Sequence, residues 1–206
     1  MSKDTWLGWY SDRRVEPGVA TLAAILKEDG SSRVLDFGCG TGRHTVYLSR
    51  LGFDVFGFDW SEASVEATRK ELMKEGLSAN LSVYDMNQTP LPYPDIYFDA
   101  VLAVRVFHHA FAGQIARSAS EIGRITKSRG HLYVEVPNFG RLQSERRKGI
   151  KFDEPEPGTF VPTGGDEVGV PHHFFTKEEL VSLFRQFTPH SMQETSDHIC
   201  LTAIRN

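Results

Sequence analysis

Three glycines at alternate positions, Gly38, Gly40 and Gly42, follow the apolar run Val34-Leu35-Asp36-Phe37, with Cys39 and Thr41 between them. Glycine admits positive φ and lets a ligand approach backbone that a Cβ would shield. The helical pattern that follows offers free N–H groups to an anion. The spacing departs from the dinucleotide fingerprint G-x-G-x-x-G, whose third glycine would fall on Arg43 rather than Gly42. Asp36, two residues before the first glycine, disfavours a pyrophosphate and suits an ammonium group. Asp59 ends a second apolar run, 21 residues past Gly38, where a carboxylate accepts hydrogen bonds from ribose hydroxyls. Asp85-Met86 ends a third run, pairing an acceptor for an adenine amino group with an apolar side chain for the ring.

Histidines come in two pairs. His108-His109 follow a strongly apolar run, and His172-His173 precede the last helical pattern. Each can act as a general base; packing or capping is the reading preferred for the first pair, and a lead-in to the helix is the alternative for the second. Neither pair has i, i+4 spacing and no cysteine or carboxylate completes a set, so no metal is expected. Between the pairs lies a basic stretch with Arg141, Arg146, Arg147, Lys148 and Lys151, suited to an anionic acceptor or simply solvated. Phe160 and Phe175 are expected as an apolar wall near it. An N-terminal arm with Trp6, Trp9 and Tyr10 is expected to cover the ligand or to pack on the sheet edge.

The elements that must hold these residues alternate. Strand-like runs at 34–37, 54–58, 81–84, 98–106 and 131–136 are separated by helical patterns at 41–51, 61–76 and 112–127, with a further helix over 16–28. Such alternation predicts a parallel sheet covered on both faces. Residues 138–170, rich in Gly, Pro and charge, are expected as a long connection. A helix over about 176–187 and two short runs at 191–195 and 199–204 end the pattern, the runs pairing as a hairpin.

At 206 residues with 40% hydrophobic content, the chain fits one ordinary globular domain. A formal charge of −4 carries no domain-wide basic footprint, which counts against nucleic acid and anionic membranes as partners. The opening residues have no apolar core of signal length and no run reaches the roughly 18 apolar residues of a spanning helix, so a cytoplasmic setting is expected. Cys39 and Cys200 lack C-x-x-C spacing, which suits a reducing compartment.

With those motifs in hand, the sequence resembles the class I S-adenosylmethionine-dependent methyltransferases, in particular their small single-domain members. The resemblance rests on Val34–Gly42, Phe56–Ser61, Asp85-Met86 with Leu91-Pro92-Tyr93, Phe98–Val104 running into Phe107-His108-His109, and Gly130–Glu135. It implies a doubly wound, Rossmann-like, mostly parallel sheet with a C-terminal antiparallel hairpin. It also implies S-adenosyl-L-methionine as cofactor and S-adenosyl-L-homocysteine as product. The implied cofactor contacts are Asp36, Gly38, Cys39, Gly40, Gly42, Asp59, Trp60, Asp85, Met86, Ala103 and Val104. Within one methyltransferase domain spanning 1–206, residues 1–32 are the arm and first helix and 33–137 the cofactor core. Residues 138–175 are the substrate-side insertion, with Tyr10, Arg146, Phe160 and Phe175 toward the acceptor, and 176–206 the last helix and hairpin. A small-molecule acceptor is expected ahead of a protein, and its identity is silent. A nicotinamide-dependent oxidoreductase and a non-catalytic cofactor-binding module remain the alternatives.

Overall fold

A strand buried on both faces must be apolar along its length, and the chain supplies several. In the computed structural model, which describes residues 14–206, Val34, Leu35 and Phe37 of the first strand are fully buried. The elements run α1 (Pro17–Glu28), β1 (Arg33–Phe37), α2 (Arg43–Arg50), β2 (Asp54–Asp59), α3 (Glu62–Lys74), β3 (Asn80–Val83), β4 (Phe98–Val104), α4 (Ala112–Ile125) and β5 (Thr126–Pro137). There follow α5 (Phe139–Arg147), β6 (Phe152–Glu156), β7 (Thr159–Pro162), β8 (His172–His173), α6 (Lys177–Leu183), β9 (Phe187–Glu194) and β10 (His198–Arg205).

Seven strands form one sheet in the order β3-β2-β1-β4-β5-β10-β9. Pairing is parallel from β3 through β5 and antiparallel for β5-β10 and β10-β9. This is the expected doubly wound sheet with its closing hairpin. From β1 the chain steps first to β2 on one side and later to β4 on the other. The crevice at the carboxyl ends of β1 and β4 is therefore the place where such folds bind ligands.

The sheet separates two cores. On one side α1 lays Val19, Leu22, Ala23 and Leu26 against Val55, Ala100 and Leu102. On the other, Phe37, Phe58, Phe98 and Phe107 pack with Ile115, Ile122 and Leu180. Helix starts follow local chemistry: the Ser61 hydroxyl accepts from Ser64 N–H, and the Thr176 side chain accepts from Glu179 N–H.

Two expectations change. The fourth helix ends at Ile125, and Thr126–Gly130 already runs in β5 with Arg129 at φ 62°. Residues 138–170 are not a plain connection. They form α5 and two of the three strands of a small antiparallel sheet, β6-β7-β8, with its own apolar cluster of Leu142, Phe160 and Phe174. Hydrogen bonds tie that unit to the main body. Ala112 N–H donates to Glu156 Oε1 at 2.6 Å, His173 N–H donates to His108 O at 3.0 Å, and Phe175 N–H donates to Pro137 O at 3.0 Å.

Candidate active site

The glycine loop leaves β1 with Gly38 at φ 71° and enters α2 through Gly42 at φ 84°. A Cβ on Gly38 would lie 2.3 Å from Val106 Cγ2, and one on Gly42 would lie 2.4 Å from Thr68 Cγ2. The loop thus passes directly over the end of β4 and lets α2 pack on α3. Asp59, at the end of β2, braces it: Oδ2 accepts from Gly40 N–H at 3.0 Å and Oδ1 from Ser61 N–H at 3.0 Å. Burial raises the Asp59 carboxyl, and these backbone donors oppose that shift.

In front of this loop opens a cavity of about 570 Å³, walled by Gly38, Asp59, Trp60, Asp85, Met86 and Val104 among others. That volume lies within the range of small-molecule sites. Positive-φ glycine, an anchored carboxylate, and a carboxylate beside a thioether meet there, with Phe58 and Tyr84 as apolar wall. These are the groups a nucleoside with an amino-acid tail requires.

The other expected contacts stand behind that wall. Asp36 is 2% exposed, and Thr45 Oγ1 donates to its Oδ2 at 2.7 Å. Burial drives its pKa up to about 6 against that hydrogen bond. Its side chain anchors α2 to β1 from behind the loop. Cys39 and Ala103 are buried in the same layer, and Gly40 and Gly42 shape the backbone rather than the wall.

A second cavity of about 500 Å³ adjoins the first, and Arg105 and His109 belong to the walls of both. Four cations line it (Arg43, Arg105, Arg141 and Lys148), with three carboxylates (Glu145, Asp166 and Glu167). Glu145 lies 2.8 Å from Arg141 and 3.3 Å from Lys148. Arg105, at φ 56°, reaches Glu16 at 3.0 Å and Glu135 at 2.5 Å. Burial pushes Glu167 up to about 7 and His172 down to about 4. Burial also holds His108 and His109 well below the ordinary histidine value, helped by the neighbouring histidines.

The loop between β7 and β8 walls both spaces. Gly164, Gly165, Asp166 and Glu167 face the second cavity, while Val168, Gly169, Val170 and Pro171 face the first.

Of the expected acceptor-side residues, His108, His109 and His172 come together in the second cavity. Their rings lie 3.9 Å (His108–His109), 4.9 Å (His109–His172) and 5.7 Å (His108–His172) apart. The third ring, 63 residues after His109, is the one that neither sequence pair could supply alone. His173 points elsewhere, with Nδ1 2.8 Å from Thr159 Oγ1 and Nε2 2.7 Å from Glu179 Oε1; it joins β7 to α6. Phe175 packs on Phe107 in the main core and Phe160 in the small one, so neither walls the cavity; Phe152 and Phe174 do. Arg146 lies over the Phe160 ring at 5.2 Å, and the neighbouring Arg141 and Lys148 face the cavity instead. Tyr10, Trp6 and Trp9 lie outside the described residues.

Arg43, Arg105 and Glu167 were not singled out from sequence. Arg105 carried a readable signal, a cation immediately after the apolar run Ala100–Val104 at the ligand edge of a parallel sheet. Glu167, in a Gly-Gly-Asp-Glu loop, carried none.

Comparison with known proteins adds the lineage. A family model described as a methyltransferase domain matches residues 35–134, the stretch from β1 to β5 that builds the first cavity. TehB of Haemophilus influenzae, named a "Probable S-adenosyl-L-methionine-dependent methyltransferase", is 44% identical over 78 residues, covering 38% of this chain and 26% of TehB. The chain spans about a fifth to a half of the length of the relatives it matches by sequence. Among solved structures, a protein from Pyrococcus horikoshii OT3 shares the fold with a TM-score of 0.75 at 21% identity, over 96% of this chain and 95% of that one. A 1,6-didemethyltoxoflavin-N1-methyltransferase from Burkholderia thailandensis, solved with S-adenosylhomocysteine bound, has a TM-score of 0.68 at 20% identity over 99% and 87%. The glycine loop, the carboxylates at the ends of β2 and β3, and the matched stretch agree: residues 35–134 match a methyltransferase domain, and over this core the chain is similar to S-adenosyl-L-methionine-dependent methyltransferases.

Proposed function

We propose that the protein transfers the methyl group of S-adenosylmethionine to a small acceptor carrying an anionic group, held in the second cavity. The observation that carries this reading is the shared wall. Arg105 and His109 border both the nucleoside-type cavity and the cation-rich one, so two ligands seated there meet at that junction.

When bound, S-adenosylmethionine supplies an electrophilic methyl on a sulfonium sulfur, leaving as the neutral thioether S-adenosylhomocysteine. The chain's own part is to hold and align. Gly38 admits the methionine end against backbone, with Gly40 holding the loop to Asp59; Asp59 takes ribose hydroxyls with its remaining lone pairs, and Asp85 with Met86 takes the adenine edge and face. Trp60 closes the nucleoside side, and Val104 presents backbone at the junction. Asp36, Cys39, Gly42 and Ala103 act from behind by fixing the loop. Arg141 and Lys148 orient the acceptor's anion, and the loop from Thr163 to Pro171 keeps water out of the junction. Alignment and water exclusion are the larger part of what such a displacement requires. No helix of the described residues is long and apolar enough to cross a membrane. The unpaired Cys39 and Cys200 support a reducing, cytoplasmic setting.

Thermal-shift titration with S-adenosylmethionine, S-adenosylhomocysteine and NAD(H) tests the reading, on wild type and Asp59→Ala. A rise in midpoint with the two sulfur nucleosides, lost in the variant, is expected. A rise with NAD(H) alone would overturn it. An acceptor screen among acidic small molecules follows, read as S-adenosylhomocysteine formed. Arg141→Ala is expected to raise KM for the acceptor about tenfold or more while the S-adenosylhomocysteine midpoint shift stays in place.

A further inference from the structure

The second cavity is lined by three imidazoles from two distant segments, one of which, His109, also borders the first. His108 and His109 follow β4, and His172 belongs to β8. One ring nitrogen from each can be chosen so that all three lie within 4.8 Å of one another. Two of the rings hold buried nitrogens with no hydrogen-bond partner, His108 Nδ1 and His172 Nε2. Buried polar nitrogens are ordinarily paired, and leaving two of them unpaired in one place is unfavourable. Nor is the arrangement loose: His173 N–H donates to His108 O at 3.0 Å, binding the two segments at the cluster, and His109 N–H donates to Val106 O at 3.1 Å.

We propose that His108, His109 and His172 bind one divalent transition-metal ion, with a coordination position left open toward the acceptor cavity. Neutral imidazoles are preferred ligands of Zn²⁺ and its first-row neighbours. Nitrogens about 2.0–2.1 Å from a tetrahedral zinc stand about 3.4 Å apart, so the rings, now within 4.8 Å of one another at those atoms, must close by up to about 1.4 Å. Three protein ligands and an open site are the arrangement of ions that take a substrate or water. Glu167 Oε2 stands 3.4 Å from His172 Nε2 without hydrogen-bond alignment, close enough to join the ion or to accept from a water on it. Arg105, Arg141 and Lys148 in the same cavity oppose a lone dication, whereas an acceptor with an oxygen anion satisfies both ion and cations. That last role, the ion as anchor for the acceptor, rests on the methyltransferase reading; the binding of the ion does not.

The test uses tag-free protein stripped with a chelator and titrated with Co²⁺ and Zn²⁺, followed by calorimetry and by the visible absorption of Co²⁺. One ion per chain is expected, with the spectrum of a nitrogen-coordinated site. His172→Ala and His108→Gln are each expected to weaken it at least about tenfold, while the S-adenosylhomocysteine midpoint shift is retained as proof of folding. Should a variant not fold, the stoichiometry and Co²⁺ spectrum of the wild type decide. Wild type that binds S-adenosylhomocysteine but takes up no Co²⁺ or Zn²⁺, or variants that bind the ion as well as wild type, would overturn the site. Ion binding without any response to the sulfur nucleosides would leave the site standing and remove the methyltransferase reading.

Discussion

At the scale of single residues, the site is built from groups held in states they would not choose in water. Asp36 titrates near 3.8 in its ordinary state and near 6 when folded. Between those values the folded chain keeps a proton that the unfolded chain has released, so this carboxyl lowers stability progressively as pH rises through the window. The full cost, about 3 kcal/mol, is present above pH 6. Asp36→Asn removes that titration. Its stability relative to wild type should therefore climb by about 2–3 kcal/mol from pH 4 to pH 7, measured by urea unfolding. A difference that does not change with pH would show that Asp36 takes up no proton. Gly38 is constrained by both its φ and its neighbour. Gly38→Ala should cost about 1–3 kcal/mol and weaken S-adenosylhomocysteine at least about tenfold, and adding Val106→Ala should return part of the loss but not the share due to φ. The glycines and the acids at strand ends were legible because their chemistry is local. Arg146 against Arg141, and Phe160 against Phe152, were not, because which neighbour faces a cavity depends on the phase of α5 and of a two-strand pairing.

Elements position those residues, and Asn138 shows how. Its Oδ1 accepts from Gly140 N–H at 3.0 Å and Arg141 N–H at 3.3 Å, starting the helix that carries Arg141. Its Nδ2 donates to Glu194 Oε1 at 3.1 Å and Thr195 O at 3.0 Å, in the closing hairpin. Asn138→Ala should cost about 2–4 kcal/mol, the cap plus the stranded carbonyl. Asn138→Ser, which keeps the cap, should lose about half of that by the same denaturation measurement; equal losses would show that the cap carries nothing, and no loss in the serine variant that the hairpin link carries nothing. The parallel core was legible because its strands are apolar throughout and its helices have starts and stops. The β6-β7-β8 unit was not. Its strands are two to five residues long, and Asp153, Glu154 and Glu156 alternate with Pro155, so the run reads as solvent-facing loop. What makes it a sheet is non-local: Glu156 receiving Ala112 N–H, and Phe160 with Phe174 closing over Leu142.

For the molecule as a whole, the sequence conveyed the mostly parallel sheet with its closing hairpin and the cofactor edge, because strand-helix alternation admits few topologies. It did not convey the second cavity, whose walls come from α2, the loop after β4, the end of β5, α5, the small sheet β6-β7-β8 with the loop before β8, and β10. If both cavities work together, hydrogen exchange should slow on adding S-adenosylhomocysteine at residues 58–60 and 84–87 and also at 168–171, far along the chain; protection confined to the first two stretches would argue against a common wall. That wall has an energetic corollary. A ligand in either space orders the same stretch, from Gly164 to Pro171, and the second ligand then meets backbone already fixed. Linkage makes the gain mutual: whatever factor the product nucleoside adds to acceptor affinity, the acceptor returns to the nucleoside. Acceptors too weak to register on the free protein should thus become visible once S-adenosylhomocysteine saturates it, and the ternary complex is the form in which to search for them.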